Sequence, residues 1–213
     1  MKLISLFLHV VLFLVIPLTG NAQATYEDLL RAATEGRLKT VQALVSRGME
    51  PNTSDAAGNT LLILASKEGH SDVVKYLLGR KAKVSIRNAA GESPIMLASL
   101  TGKLDVVKLL QASGADINPS GWTPLHYCAW EGHIDVCRFL IEHGASLNAL
   151  SPNGTSPLMM AVRGRHIDIV RLLLERAADW SIRNDSNATA LAWANKAGQT
   201  AIADLLRKAG AKE

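Results

Sequence analysis

The sequence predicts an all-α repeat protein, an array of about six helix–turn–helix units, and three observations carry that prediction. Gly58 and Gly91 lie 33 residues apart, as do Gly121 and Gly154. A second glycine series, Gly36, Gly69, Gly102 and Gly132, falls eleven residues further into each unit. Between these glycines the apolar residues recur at helical spacing: Leu62 and Ala65, or Leu125 and Cys128, in a first helix, then Val74, Leu77 and Leu78, or Cys137, Leu140 and Ile141, in a second. Self-similarity at this period describes a stack in which each unit buries its apolar face only against its neighbours. Such a scaffold suits binding far better than catalysis.

Residues 1–24 stand outside the repeat frame. Lys2 precedes an apolar run from Leu3 to Leu18, which contains His9, is broken by Pro17, and is followed by Ala22-Gln23-Ala24. This is the layout of an export signal cut after Ala24. A spanning helix needs roughly 20 apolar residues, more than the run supplies. The expectation is a soluble exported protein, periplasmic or secreted, with no membrane association after cleavage. Loss of Lys2 takes 23 basic residues to 22 against 19 acidic ones, so a net charge of +4 becomes +3. The excess is spread thinly, without the basic clustering that nucleic-acid partners demand.

The units then follow as 25–57, 58–90, 91–120, 121–153, 154–186 and 187–213. The first presents Glu27, Asp28, Arg31 and Lys39, and the last presents Asp204, Arg207, Lys208, Lys212 and Glu213, as polar terminal caps of a stack should. In the central units Pro94, Pro124 and Pro157 open the first helix, where a missing N–H costs nothing. Gly69 or Gly132 separates the two helices, at a C-terminus that favours positive φ. The small Ala65, Ala98, Ala129 and Ala161 permit close helix approach.

Thr123-Pro124-Leu125-His126, Gly132-His133 and Gly144-Ala145-Ser146-Leu147-Asn148 resemble the ankyrin repeat, and the resemblance extends over residues 25–213. It implies an ankyrin solenoid with β-hairpin loops projecting between the helix pairs. Gly58, Gly91, Gly121 and Gly154 take the hairpin glycine role, with Asn187 in the last unit; Leu61 and Ala190 stand where the helix-opening proline is expected. The resemblance also implies where partners touch such stacks: hairpin tips and the exposed side of the first helices. One exposed row transfers to Lys67, Leu100, Trp130, Arg163 and Lys196, and a second to Asn59, Glu92, Trp122, Thr155 and Ala188.

The frame slips once. Gly91 and Gly121 are 30 residues apart, and the shortfall lies in Asn118-Pro119-Ser120, so one hairpin is truncated between the third and fourth units. Loops tolerate such deletions cheaply. The truncation also opens a clearing, and Trp122 and Trp130 flank it with Glu131. Trp and Arg dominate binding hot spots, whereas exposed aromatic residues are otherwise unfavourable. Trp122 could instead fill the hole left by the missing tip. The candidate partner-binding residues are therefore Asn59, Lys67, Glu92, Leu100, Trp122, Trp130, Glu131 and Arg163. Trp180 and Trp193 occupy positions that are apolar in other units and read as core.

Catalytic and cofactor readings find little support. His70, His133 and His166 recur at the start of the second helices, so periodicity gives them a structural hydrogen-bonding role rather than a shared metal. No glycine-flanked nucleophile or phosphate-cradling loop occurs; a hydrolase built on Glu131, His133 and Asp135 is a weak alternative. Cys128 and Cys137 are nine apart and symmetric about Gly132. Export permits a disulfide, but helix axes usually sit about 8–10 Å apart and a disulfide needs Cα atoms within about 7 Å, so a bridge and a pair of core thiols both stay open. Glycosylation triplets at Asn52, Asn153 and Asn187 are expected by chance in Asn- and Thr-rich turns.

The function expected is a non-enzymatic, cofactor-free scaffold, monomeric alone, that caps a folded exported partner on its concave face. The leading form is an inhibitor or self-protection (immunity-type) protein for a periplasmic enzyme. The alternatives are a chaperone-like support for an exported enzyme, such as one handling oxidative stress, and a secreted effector that binds host proteins.

Overall fold

The computed structural model describes residues 20–212. Residues 1–19, most of the expected export segment, lie outside them. Among the described residues the chain forms twelve helices in six consecutive pairs. They are α1 (Gly20–Thr34) with α2 (Leu38–Ser46), α3 (Leu61–Glu68) with α4 (Ser71–Gly79), and α5 (Pro94–Leu100) with α6 (Leu104–Ala112). The second half repeats the plan: α7 (Pro124–Glu131) with α8 (Ile134–Glu142), α9 (Pro157–Arg163) with α10 (Ile167–Glu175), and α11 (Ala190–Lys196) with α12 (Thr200–Lys208). Odd-numbered helices pack on their odd neighbours and even on even, giving two layers with one continuous core between them. None of these helices is long and apolar enough to cross a membrane.

Three of the first helices, α3, α9 and α11, begin with a side chain that satisfies an otherwise orphaned N–H. The Thr60, Ser156 and Thr189 hydroxyls accept from the backbone N–H of Ile63, Met159 and Ala192. The buried face of the first helices is small: Ala65, Ala98, Ala129, Ala161 and Ala194 are wholly enclosed, which lets successive first helices sit close together.

That closeness creates a polar problem at each helix end, and the next unit solves it. The imidazole Nε2 of His70 donates to the Thr34 carbonyl at 2.8 Å, that of His133 to Leu100 at 2.9 Å, and that of His166 to Trp130 at 2.9 Å. Lys103 holds the corresponding place in the third unit, and there the Thr101 hydroxyl donates to the Lys67 carbonyl at 2.7 Å. The recurrent histidines are thus committed to joining units.

Each imidazole lies over a residue that can carry no side chain. A Cβ on Gly132, whose φ is +90°, would fall 2.5 Å from His166 Cε1, and one on Gly102 would meet His133 at the same distance. Five of the six positions in this series are glycine with positive φ: Gly36, Gly69, Gly102, Gly132 and Gly198. The sixth is Arg165, at φ +64°. A left-handed conformation costs an L-residue about 1 kcal/mol relative to glycine.

The connections between units are tight turns, not strands; the described residues contain one isolated antiparallel bridge, Ser54 to Thr60. Their backbone still closes as a hairpin would. Asp55, Asn88, Ser151 and Asn184 each exchange a backbone bond with the residue four further on, and each side chain accepts from that residue's N–H. These fingers couple in twos: Ala89 N–H donates to the Ala57 carbonyl, and Asp185 N–H to Asn153. The shortened Asn118–Gly121 connection has no such bond among the described residues, so the finger row is interrupted at the fourth unit. Asn118 still ties on the next unit, accepting from Ser146 N–H as Asn52 accepts from Lys83 and Asn148 from Asp179, and it also donates to the Gly144 carbonyl.

Cys128 and Cys137 are joined as a disulfide between α7 and α8, with Cα atoms 5.7 Å apart. Usual helix-axis separation argued against that approach. Both cysteines, however, lie on the facing sides of one antiparallel pair, where Cα–Cα separation falls below axis separation.

Gly132→Ala is expected to destabilise the protein by about 2 kcal/mol, from left-handed strain and displacement of the His166 imidazole together. Denaturant unfolding of the variant beside the parent protein measures this.

Candidate partner-binding groove

The residues predicted to bind a partner separate into two groups in the structure. Asn59 and Glu92 are half-buried finger residues. Asn59 donates to Asp55 and accepts from Asn88, while Glu92 accepts from Asn88 and from the Tyr127 hydroxyl. Their polar groups hold the second and third fingers together. Thr155, from the same predicted row, is only 1% exposed. Its carbonyl accepts from His126 at 3.0 Å.

The other group lies along the exposed edge of the first helices. Lys67, Glu131, Arg163 and Lys196 are exposed and Leu100 is half-buried. Trp130 is 41% exposed, one of two large hydrophobic residues so placed among the described residues. Trp122 is half-buried, its ring meeting the His126 imidazole edge-on at 5.3 Å and Tyr127 at 6.4 Å. It therefore packs against α7 and the core and also walls a groove. Trp122, Tyr127, Trp130, Met160 and Arg163 surround a pocket of about 170 Å³ between α7 and α9.

A second, larger pocket of about 380 Å³ lies one step along, between α9 and α11. Arg163 borders both pockets, so the two form one groove. Trp193, expected in the core, packs against it with one side but presents the other to this second pocket. Trp180 is half-buried against the core. Arg165 was not among the predicted site residues, although the glycine series places it: counting 33 from Gly132 arrives at an arginine.

The floor beneath Trp122 is electrostatically fixed. His126 is fully enclosed; Thr123 N–H donates to its Nδ1 at 3.1 Å and its Nε2 donates to the Thr155 carbonyl. These partners demand the neutral ring protonated at Nε2, and burial pushes the pKa down to about 4. Burial, and after it the Glu92 carboxylate, pushes the Tyr127 phenol up to about 12, so it remains a donor to Glu92 at neutral pH. In the Glu131/His133/Asp135 arrangement, His133 Nε2 is bound to the Leu100 carbonyl and the Nδ1 side of its ring lies over Gly102. Among the described residues no three His, Cys, Asp or Glu side chains converge on a metal position.

His126 is protonated more readily in the unfolded chain, near pH 6.5, than in the folded one, near 4. Its contribution is complete above pH 6.5 and is lost as the pH falls toward 4. The difference in unfolding free energy between the parent protein and His126→Gln should shrink by about 3 kcal/mol between pH 7.5 and 4. Denaturant titrations at the two pH values measure it.

Comparison with known proteins agrees with this architecture. Family models described as "Ankyrin repeats (3 copies)" match residues 10–88, 29–119 and 80–151, and one described as "Ankyrin repeats (many copies)" matches 140–194. The crystal structure of the human ASB11 ankyrin repeat domain superposes with a TM-score of 0.80 at 26% identity, covering 86% of this chain and 84% of that one. No curated protein sequence matches. Ankyrin repeats are protein–protein interaction scaffolds, and the chain belongs to the ankyrin repeat family.

Proposed function

We propose that the protein is an exported scaffold that caps a folded periplasmic enzyme on the concave face of its first helices and inhibits it, as a self-protective protein would. The observation that carries this reading is Trp130, an exposed tryptophan beside Trp122 and Arg163 on the edge where ankyrin stacks meet partners. Tryptophan and arginine at the centre of a groove are the composition of an interface hot spot. The apolar segment before Thr25 supports export, and stoichiometric capping needs no phosphoryl donor or other energy source outside the cell.

The test is affinity capture of co-exported proteins by the purified protein beside a Trp122→Ala/Trp130→Ala variant. The variant should bind the captured partner at least about 30-fold more weakly, the loss of a hot-spot residue. Adding the parent protein should lower the partner's activity. Equal capture by both proteins contradicts the binding face, and undiminished activity contradicts inhibition.

A further inference from the structure

The step between the fifth and sixth units breaks the rule that joins most of the others. Where His70, His133 and His166 reach a carbonyl of the preceding unit, the sixth unit carries Gln199. Its buried Oε1 has no hydrogen-bond partner. Facing it, the fifth unit carries Arg165 in the left-handed position held by glycine in the other five. The two exchanges fit each other. A histidine ring would leave no space for the Cβ of residue 165, as the 2.5 Å approaches at Gly102 and Gly132 show. A slimmer glutamine leaves that space, and the pocket between α9 and α11 opens there.

Lys81, Ala177 and Asn187 share this left-handed backbone, but Arg165 is the one of the four that borders this pocket, so its guanidinium stands at the pocket edge. Arg163 and Lys196 border the same pocket, and no carboxylate lines it. Among the described residues none of the three forms an ion pair. The occupant must therefore supply negative charge. A peptide bearing carboxylates supplies it through its side chains. The adjoining pocket of Trp122, Tyr127, Trp130 and Met160 accepts a large apolar side chain.

Resting on the scaffold reading, we infer that the partner is held through an acidic segment with a large apolar residue beside its carboxylates. The apolar residue enters between α7 and α9, and the carboxylates meet Arg163, Arg165 and Lys196.

Fluorescence anisotropy with short labelled peptides tests this, one containing Phe-Asp-Glu-Asp, one Phe-Asn-Gln-Asn and one Ala-Asp-Glu-Asp. The first should bind, and each of the others should bind about tenfold more weakly or worse. Arg165→Gly is the decisive variant: relieved of left-handed strain it should melt at a higher temperature, yet lose the preference for the acidic over the amide peptide. Lys196→Gln should weaken the same preference with an unchanged melting temperature. Equal binding of acidic and amide peptides, absence of binding by all three, or an Arg165→Gly variant that keeps the preference would overturn the inference. So would single-stranded DNA competing as well as the acidic peptide. A partner still captured through Trp122 and Trp130 in those cases would leave the scaffold reading standing.

Discussion

Close approach of successive first helices is the constraint on which the architecture turns. It requires alanine on the buried faces, a residue without Cβ at the inner turn, and a donor from the next unit for the carbonyl enclosed at the helix end. Histidine meets the last need because its ring is rigid and long enough to span the step, and because Nε2 can donate while remaining neutral. The glycine and the histidine are one device, since the ring occupies the volume that a Cβ would take. Because every unit is fixed only by its neighbours, the stack tolerates a local change as long as both sides of one step change together.

The fold was largely legible because this device repeats. The 33-residue glycine period, the helix-opening prolines and the recurrent histidines each follow from one backbone requirement, so counting was enough to find six units. The shortened connection before Gly121 was legible for the same reason. What escaped reading depended on depth and compensation. Thr155 and Trp122 stand in the same predicted row, yet one is enclosed and the other walls a groove, because the row follows the chain while burial follows packing. The disulfide turned on a Cα separation that average helix spacing does not give. Trp193 occupies an apolar position but has two sides, and only the three-dimensional arrangement shows the outer one free. Arg165 and Gln199 were visible as departures from pattern, but their meaning lies in facing each other across a step.

The departures lie next to one another. The fourth unit lacks its finger and carries Trp122 and Trp130; the fifth and sixth exchange the glycine–histidine device for Arg165 and Gln199. Arg163 belongs to both pockets and joins them into a groove over α7, α9 and α11. In a stack of similar units, recognition must come from what is not repeated, and here Trp122, Trp130, Arg165 and Gln199 line two pockets that share Arg163. An aromatic section followed by a cationic one also gives the groove a direction, so a partner can be bound in one orientation.

Hydroxyl-radical footprinting of the tryptophans in the partner complex measures this most directly. Trp122, Trp130 and Trp193 border the groove and Trp180 does not, so the protein contains its own control. The account predicts that labelling of Trp130 and Trp193 falls on complex formation while that of Trp180 is unchanged. Protection of Trp180 with Trp130 still fully labelled would contradict it.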